Sequence, residues 1–391
     1  MILRGDLTLR RLRLLQNVDA WLVLTVVALC LAGLVFIGSA TADDAVFGAQ
    51  QGRQALFVSV GLGCGFFVLL PHYSYVQRGA WVLYGGAVLS LLGLWFFAPE
   101  INGARRWYAF PGFSVQPSEF AKVAVVVALA AMLRFKSRAK TLDGLLLPAL
   151  VAAVPALLIL KQPDLGSAIV FGVVLMAMCW AAGAPGRSVL ALLGLASVVL
   201  VVAYFELLHD YQRERIDVWL QHWGWNEGNI RTHEVQAVLR DAGYQPWQAL
   251  IAMGAGGVDG FGLGQGPQNR YDFLPYSSED YVFAVVGEET GFVGAVVVLG
   301  LVAAVVLGLL SIAERTRERF GKLVCVGVAA WFGAQSLFHV AVCGWLVPST
   351  GLPMPLISYG GSSTLAMLLG LALCVNIGAR REPVLAGDGF R

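Results

Sequence analysis

The chain has 391 residues, of which 58% are hydrophobic and only 13% charged, against about 25% charged in an ordinary soluble domain, and its formal net charge is +2. Most of these residues cannot face water, which excludes a soluble globular protein; the net charge is uninformative as a total, since its distribution matters more than its sum, and no nucleic-acid partner is expected. The six cysteines all fall in apolar stretches with no CxxC spacing, which argues against a disulfide framework or a zinc site and for buried thiols.

Apolar windows of about 20 residues, enough to cross a ~30 Å hydrocarbon core, predict ten membrane spans. In chain order they lie near Trp21–Ser39, Ala55–Leu70, Trp81–Phe97, Pro117–Leu133, Leu145–Leu160, Ser167–Ala182, Val189–Leu207, Tyr281–Leu310, Leu323–Leu346 and Pro355–Ile377. The expected class is therefore an all-α polytopic membrane protein. Short tails over 1–18 and 379–391 are expected to be cytoplasmic, because that orientation puts 17 of the 27 Lys and Arg residues on inner segments and 9 on outer ones, with Lys122 inside a span. The one large loop, 209–279, then lies outside the membrane between the seventh and eighth spans. Its Trp219, Trp223, Trp225 and Trp247 read as headgroup anchors, and Arg231–Arg240 as a short amphipathic helix on the membrane surface.

Polar groups gather on the expected outer side. Asp280 stands at the mouth of the eighth span, where an ionised group costs at least ~2.5–3.5 kcal/mol if drawn to the bilayer centre and so calls for a partner, a cavity or a function. Arg105 and Arg106 run against the positive-inside bias, and a guanidinium fork suits phosphate oxygens. Glu119 and Lys122, three residues apart on one helix face, can neutralise each other as a brace or serve a site. Asp164, in the turn Lys161-Gln162-Pro163-Asp164-Leu165-Gly166, suits a helix cap as well as a functional group. The glycine run from Gly254 to Gly266 lacks the Lys-Ser/Thr of a nucleotide loop and reads as re-entrant or interfacial chain lining a cavity. Glu288, but not Glu289, has the helical phase to face the same cavity as Asp280, and bracing a neighbouring helix is open to both.

Five runs in chain order resemble the signatures of the SEDS family (shape, elongation, division and sporulation), which includes the bacterial peptidoglycan glycosyltransferases RodA and FtsW. They are Arg105-Arg106-Trp107 with Gln116-Pro117-Ser118-Glu119, Gln162-Pro163-Asp164-Leu165-Gly166, Gly243-Tyr244-Gln245 with Gln248, the Asp280 helix with Gly287-Glu288-Glu289, and Ile357-Ser358-Tyr359-Gly360-Gly361-Ser362-Ser363. The resemblance implies a ten-helix enzyme of the bacterial cytoplasmic membrane that polymerises lipid II, an undecaprenyl-pyrophosphate-linked disaccharide peptide, at the outer face. It also implies a class B penicillin-binding protein transpeptidase as partner, together with other division or elongation proteins and membrane lipids, and it leans slightly to the FtsW branch. Asp280 takes the place of the family's essential aspartate, with Arg105, Arg106, Lys122, Glu119, Asp164, Gln245, Gln248, Ser358 and Ser362 as substrate-binding candidates. The family's usual Leu-Pro-Glu-x-His-Thr-Asp reads here Leu274-Pro275-Tyr276-Ser277-Ser278-Glu279-Asp280, so three neighbours of that aspartate are replaced.

The chemistry so implied needs a base for a sugar hydroxyl and stabilisation of a departing pyrophosphate. Asp280 is the expected base, its pKa raised by the adjacent Glu279 and by partial desolvation. Arg105 or Arg106 supplies the cation, and a divalent ion, Mg or Mn, is an option that no ligand spacing requires. A flippase for a lipid-linked precursor, or a scaffold recruiting the transpeptidase, would also use a polar cavity in an apolar bundle, and both remain open at this point.

Overall fold

The computed structural model describes residues 18–41, 49–101, 103–135, 140–206, 208–225 and 232–380. The expected tails over 1–18 and 379–391 fall almost wholly outside these residues, as does Arg231. Among the described residues, eight helices are long and apolar enough to cross a membrane. They are α1 (Ala20–Ala40), α2 (Gln50–Leu69), α4 (Ala80–Phe97), α6 (Leu142–Leu160), α8 (Gly186–Glu206), α13 (Val282–Arg315), α14 (Arg319–Cys343) and α15 (Gly361–Ala379). Two more, α5 (Pro117–Leu133) and α7 (Leu165–Ala181), have 17 residues each and coincide with the expected fourth and sixth spans. Shorter helices are α3 (Ser74–Arg78), α9 (Asp210–His222), α10 (His233–Leu239), α11 (Tyr244–Ala255) and α12 (Pro267–Arg270), and β1 (Tyr108–Phe110) pairs antiparallel with β2 (Phe113–Val115).

Capping side chains set many of the starts. Asp19 accepts from Leu22 N, Thr141 from Gly144 N, Asp164 from Ser167 N and Glu318 from Phe320 N and Gly321 N, while Pro117 occupies the first turn of α5. The tenth span begins later than expected. Pro355 to Gly360 stays non-helical, since Leu356 holds a left-handed φ of 66° and Ser358 folds back on Met354, so the helix starts only at Gly361.

Within its largely apolar core the bundle buries several polar groups. Almost all of α5 is buried, Glu119 and Lys122 included, and α14 buries Gln335, Ser336 and His339 completely. In contrast α2, α4 and α8 present Leu, Val and Phe outward, as in Phe96, Phe97 and Val198 to Val202. Polar groups inside and apolar groups outside are what a lipid solvent selects.

The expected eighth span is a longer helix with a break in it. At Gly291 the backbone turns to φ 61°, ψ −163° within α13. The freed carbonyls of Glu288 and Glu289 accept from Phe261 N and Gly262 N at 3.0 and 2.9 Å, and the freed N–H groups of Phe292 and Val293 donate to Gly257 O and Val258 O at 2.9 and 3.2 Å. The glycine run is thus a backbone splice into a broken helix, and close approach explains its composition: a Cβ on Gly260 would stand 2.3 Å from Glu289 O.

The described residues of the segment 209–279 form the helices α9 to α12 joined by turns, with a small core of their own. Trp345 is buried at its centre, stacked on His222 at 4.4 Å, with Trp225 at 5.6 Å and Trp247 at 6.5 Å, and Val218, Leu239 and Trp219 pack around them. Three of the four tryptophans read as headgroup anchors therefore turn inward, because Trp345 at the end of α14 offers them an apolar partner. Trp223 stays 61% exposed, as an anchor would be. The expected surface helix is α10, and its Val235, Val238 and Leu239 pack on this same core.

Gly291→Ala would place a Cβ 2.4 Å from Val258 O at a left-handed φ. It is expected to lower stability by at least ~1–3 kcal/mol in thermal unfolding in detergent. Gly300→Ala, in open space on the same helix, should leave the transition unchanged.

Candidate active site

Asp280 closes a tight turn just before α13. Tyr276 adopts a left-handed φ of 55°, and its carbonyl accepts from the N–H groups of Glu279 and Asp280 at 3.1 and 3.0 Å. Ser278 Oγ donates to Gln50 Oε1 at 2.8 Å, and Ser278 O accepts from Tyr359 N at 2.8 Å. On the other side the buried Tyr281 donates its hydroxyl to Ser349 Oγ at 3.2 Å. The half-buried Asp280 is therefore held between residues fixed to α2, to the chain before α15 and to the loop after α14.

Three distant segments meet there. Asp164 Oδ1 accepts from Ser167 N at 3.0 Å, which makes it the cap of α7. Arg106 donates from Nε to Gln162 O at 2.7 Å and from Nη2 to Pro163 O and to the Tyr211 hydroxyl, pinning that turn to α9. Arg215, also on α9, reaches Ser349 O at 3.4 Å across the Tyr211 ring. The same loop wraps Asp280, so that a Cβ on Gly351 would lie 3.7 Å from Asp280 Oδ2.

These groups tune the carboxylate together. Burial raises the Asp280 pKa above its ordinary value, the Arg215 and Arg106 guanidiniums draw it back down, and Asp164 adds to the rise. The shift is upward as expected and desolvation is its chief cause, but the neighbouring charge that adds to it is Asp164 and not Glu279; the repulsion between the adjacent acids acts on Glu279. Burial, then the Asp280 charge, pushes Glu279 up to about 7.

Beneath the site lies a buried polar brace. Lys122 Nζ donates to Glu119 Oε1 at 2.6 Å and to Gln335 Oε1 at 3.0 Å, 5.7 Å from the Trp331 ring centre, and Trp331 Nε1 donates to the same Gln335 oxygen at 2.8 Å. Gln335 Nε2 then donates to Pro353 O at 2.9 Å. His339 Nδ1 pairs with Leu352 O at 2.8 Å while its Nε2 accepts from Phe283 N at 3.4 Å. Glu119 and Lys122 thus support the loop that forms the Asp280 wall, the bracing role of the two open to them.

The remaining candidates divide. Arg105 sits on the rim, donating to Trp95 O at 3.0 Å and 3.6 Å from Glu100, both side chains being about half exposed or more. Ser358 Oγ accepts from Met354 N, and Ser362 Oγ accepts from Gln116 N and donates to Ser114 O, so both hydroxyls hold backbone. Gln245 and Gln248 are half-buried on the first turns of α11. Glu288 does not face the Asp280 cavity: its carboxylate accepts from Gln268 N and Asn269 N, and Glu289 accepts from Ser39 Oγ and Asn269 Nδ2. Both acids brace the glycine-rich segment, because the break at Gly291 lets that segment fold around them. Arg215, Gln335 and His339 escaped the sequence reading. An arginine on the outer, amphipathic Asp210–His222 stretch was the available signal for Arg215, and single polar residues in an apolar run marked the other two.

Among the described residues, no three His, Cys, Asp or Glu side chains gather as a protein-held metal would need. Mg²⁺ more often takes one or two carboxylates together with substrate phosphates.

Residues 20–382 match the family model for FtsW, RodA and SpoVE, described as cell cycle protein. A relative from Geobacter metallireducens, named "Probable peptidoglycan glycosyltransferase FtsW", is 33% identical over 389 residues, covering 95% of this chain and 97% of its own. The fold is similar to a chain of a peptidoglycan synthase complex studied for the coordination of polymerization and crosslinking, with a TM-score of 0.77, 29% identity and 93% and 98% of the two chains covered. It is also similar to the rod shape determining protein RodA of Thermus thermophilus, with a TM-score of 0.68, 29% identity and 94% and 98% covered.

The brace carries a sharp expectation. Removing one charge, by Glu119→Gln or Lys122→Met, leaves the other buried and uncompensated, and should cost about 3–5 kcal/mol in unfolding measured in detergent. The double variant should recover most of that loss, since it buries no lone charge.

Proposed function

The chain belongs to the FtsW/RodA/SpoVE family and is a multi-pass membrane peptidoglycan glycosyltransferase, and from that premise we propose that Asp280 is the general base of lipid II polymerisation at the outer membrane face. The observation that carries this reading is the convergence of Asp164, Arg106, Arg215 and the Gly351 wall on one half-buried carboxylate. In the step proposed, the acceptor sugar 4-hydroxyl attacks the anomeric carbon of the lipid-linked donor. The new glycosidic C–O bond forms, the bond to the pyrophosphate oxygen breaks, and the hydroxyl proton passes to Asp280. A base so placed typically contributes ~10²–10⁴-fold.

The departing pyrophosphate needs cationic stabilisation. Arg106 engages its Nε and Nη2 with Gln162, Pro163 and Tyr211, so it positions the turn and biases the Asp280 charge. Arg105 is better placed to meet phosphate oxygens, since its exposed pair with Glu100 is weak and exchangeable. A divalent cation carried by the substrate phosphates would supply further neutralisation.

The positive-inside count supports ten spans, α5 and α7 included, with Asp280 on the outer side. A class B penicillin-binding protein is the proposed crosslinking partner, and the similarity to a peptidoglycan synthase complex supports it. An enzyme is favoured over a flippase because the deep charges Glu119 and Lys122 neutralise each other in a sealed brace and line no open path.

Asp280→Asn is expected to fold, insert and make no glycan polymer from lipid II on gels, while Glu279→Gln keeps measurable activity; an active Asp280→Asn protein sinks the assignment. The base must be ionised, so the rate falls as pH drops through its raised pKa. Arg215→Gln removes a cation that favours the ionised form and should move this acid limb to higher pH; an unmoved limb in the pH–rate profile would show that Arg215 does not act on the base.

A further inference from the structure

On the face of the bundle opposite Asp280, where α3 meets the end of α5, Ser74, Gln77, Arg78 and Arg134 line a cavity of about 370 Å³. Arg134 directly follows α5, where an arginine can bond the last carbonyls of its helix. It does not do so here. Its guanidinium lies 4.6 Å from the centre of the Phe135 ring, and its Nε is buried without a hydrogen-bond partner. A buried donor left without an acceptor costs the full desolvation of that group, more so when it is charged. Arg78 lies over the Tyr75 ring at 5.8 Å, and the ion pairs among the described residues include neither arginine.

The cavity therefore offers two guanidiniums, a hydroxyl and a carboxamide, with no acid among the described residues of its lining. That is receptor chemistry for a phosphate group. Its borders are apolar: Tyr75 and Phe135 are half or more exposed, as are Trp81 and Val82, three and four residues beyond Arg78. A soluble phosphate has no use for that rim, whereas a phospholipid lays its acyl chains on it. Basic pockets between helices at headgroup level are known as anionic-lipid sites.

We propose that this cavity binds the phosphodiester headgroup of an anionic phospholipid in the leaflet opposite the active site. The inference rests on the reading of these helices as membrane spans; reversing the orientation would change which leaflet supplies the lipid and leave the chemistry unaltered.

The test is native mass spectrometry of the full-length protein in detergent, offered phosphatidylglycerol, phosphatidylcholine or millimolar inorganic phosphate. Wild type should retain phosphatidylglycerol preferentially over phosphatidylcholine, and Arg78→Gln with Arg134→Gln should weaken that retention about tenfold or more, as expected for the loss of charge-assisted bonds. Arg134→Lys, which keeps the charge without the fork, should fall between. Polymerisation of lipid II by the double variant should match wild type, showing that its fold is intact; an inactive wild type would count against the proposed function alone. The lipid assignment is overturned if the double variant binds phosphatidylglycerol as wild type does. It is also overturned if inorganic phosphate displaces the lipid completely, or if retention is lost instead on Arg187→Gln, in the separate basic cavity formed with Lys140, Thr141 and Ser188.

Discussion

Backbone polar groups withdrawn from water must find partners, and inside an apolar bundle irregular chain survives only where side chains or other backbone take up its hydrogen bonds. The stretch between α14 and α15 is held this way along its length. Arg215 serves Ser349 O, His339 serves Leu352 O, Gln335 serves Pro353 O, Ser358 serves Met354 N, Ser278 O receives Tyr359 N, and Gln54 receives Gly360 N. Every supplier is itself buried or half-buried, so the loop is fixed to α2, α9, α14 and the Asp280 turn at once. Asp280 inherits its position from this loop. The break in α13 meets the same requirement by exchanging backbone bonds with the glycine-rich segment, which Glu288 and Glu289 then hold in place.

The electrostatic setting follows from the same contacts. Arg106 and Arg215 are bound to backbone carbonyls, and neither forms an ion pair with Asp280 among the described residues. A direct pair would hold the carboxylate far below its ordinary range and leave it a poor base. At a remove, the guanidiniums offset burial without cancelling it. Asp164, already capping α7, brings a second negative charge near enough to weigh against them.

What the sequence makes legible is whatever depends on neighbours in the chain. Membrane spans are runs of apolar residues, so their positions emerge closely: the expected Trp81–Phe97 is the helix Ala80–Phe97, and Val189–Leu207 is Gly186–Glu206. The Glu119–Lys122 pair, three residues apart, could be read as a brace from spacing alone. The inward turn of Trp225 and Trp247 could not, because it depends on Trp345, about a hundred residues further on. The roles of Gln335, His339 and Arg215 were hidden for the same reason, each bonding a carbonyl brought near only by the fold. Glu288 was judged from the phase of an unbroken helix. A glycine at φ 61° three residues later lets another segment claim its carboxylate.

The departures from the family's usual motif around Asp280 gain a physical meaning here. Ser278, where histidine is usual, gives its hydroxyl to Gln50 and its carbonyl to Tyr359, so the position works as a tie between elements and not as a proton carrier. Glu279, where threonine is usual, puts a second carboxyl beside the base. Two adjacent carboxylates do not ionise independently, and the one with fewer cations near it keeps its proton longer. Asp280 has Arg215 and Arg106 drawing its pKa down, whereas burial and the Asp280 charge push Glu279 up to about 7. Burial and the charge of the neighbouring Asp280 thus favour the neutral form of Glu279 near neutral pH. At Asp280 itself burial works against ionisation, and the two arginines favour the ionised form that a base requires.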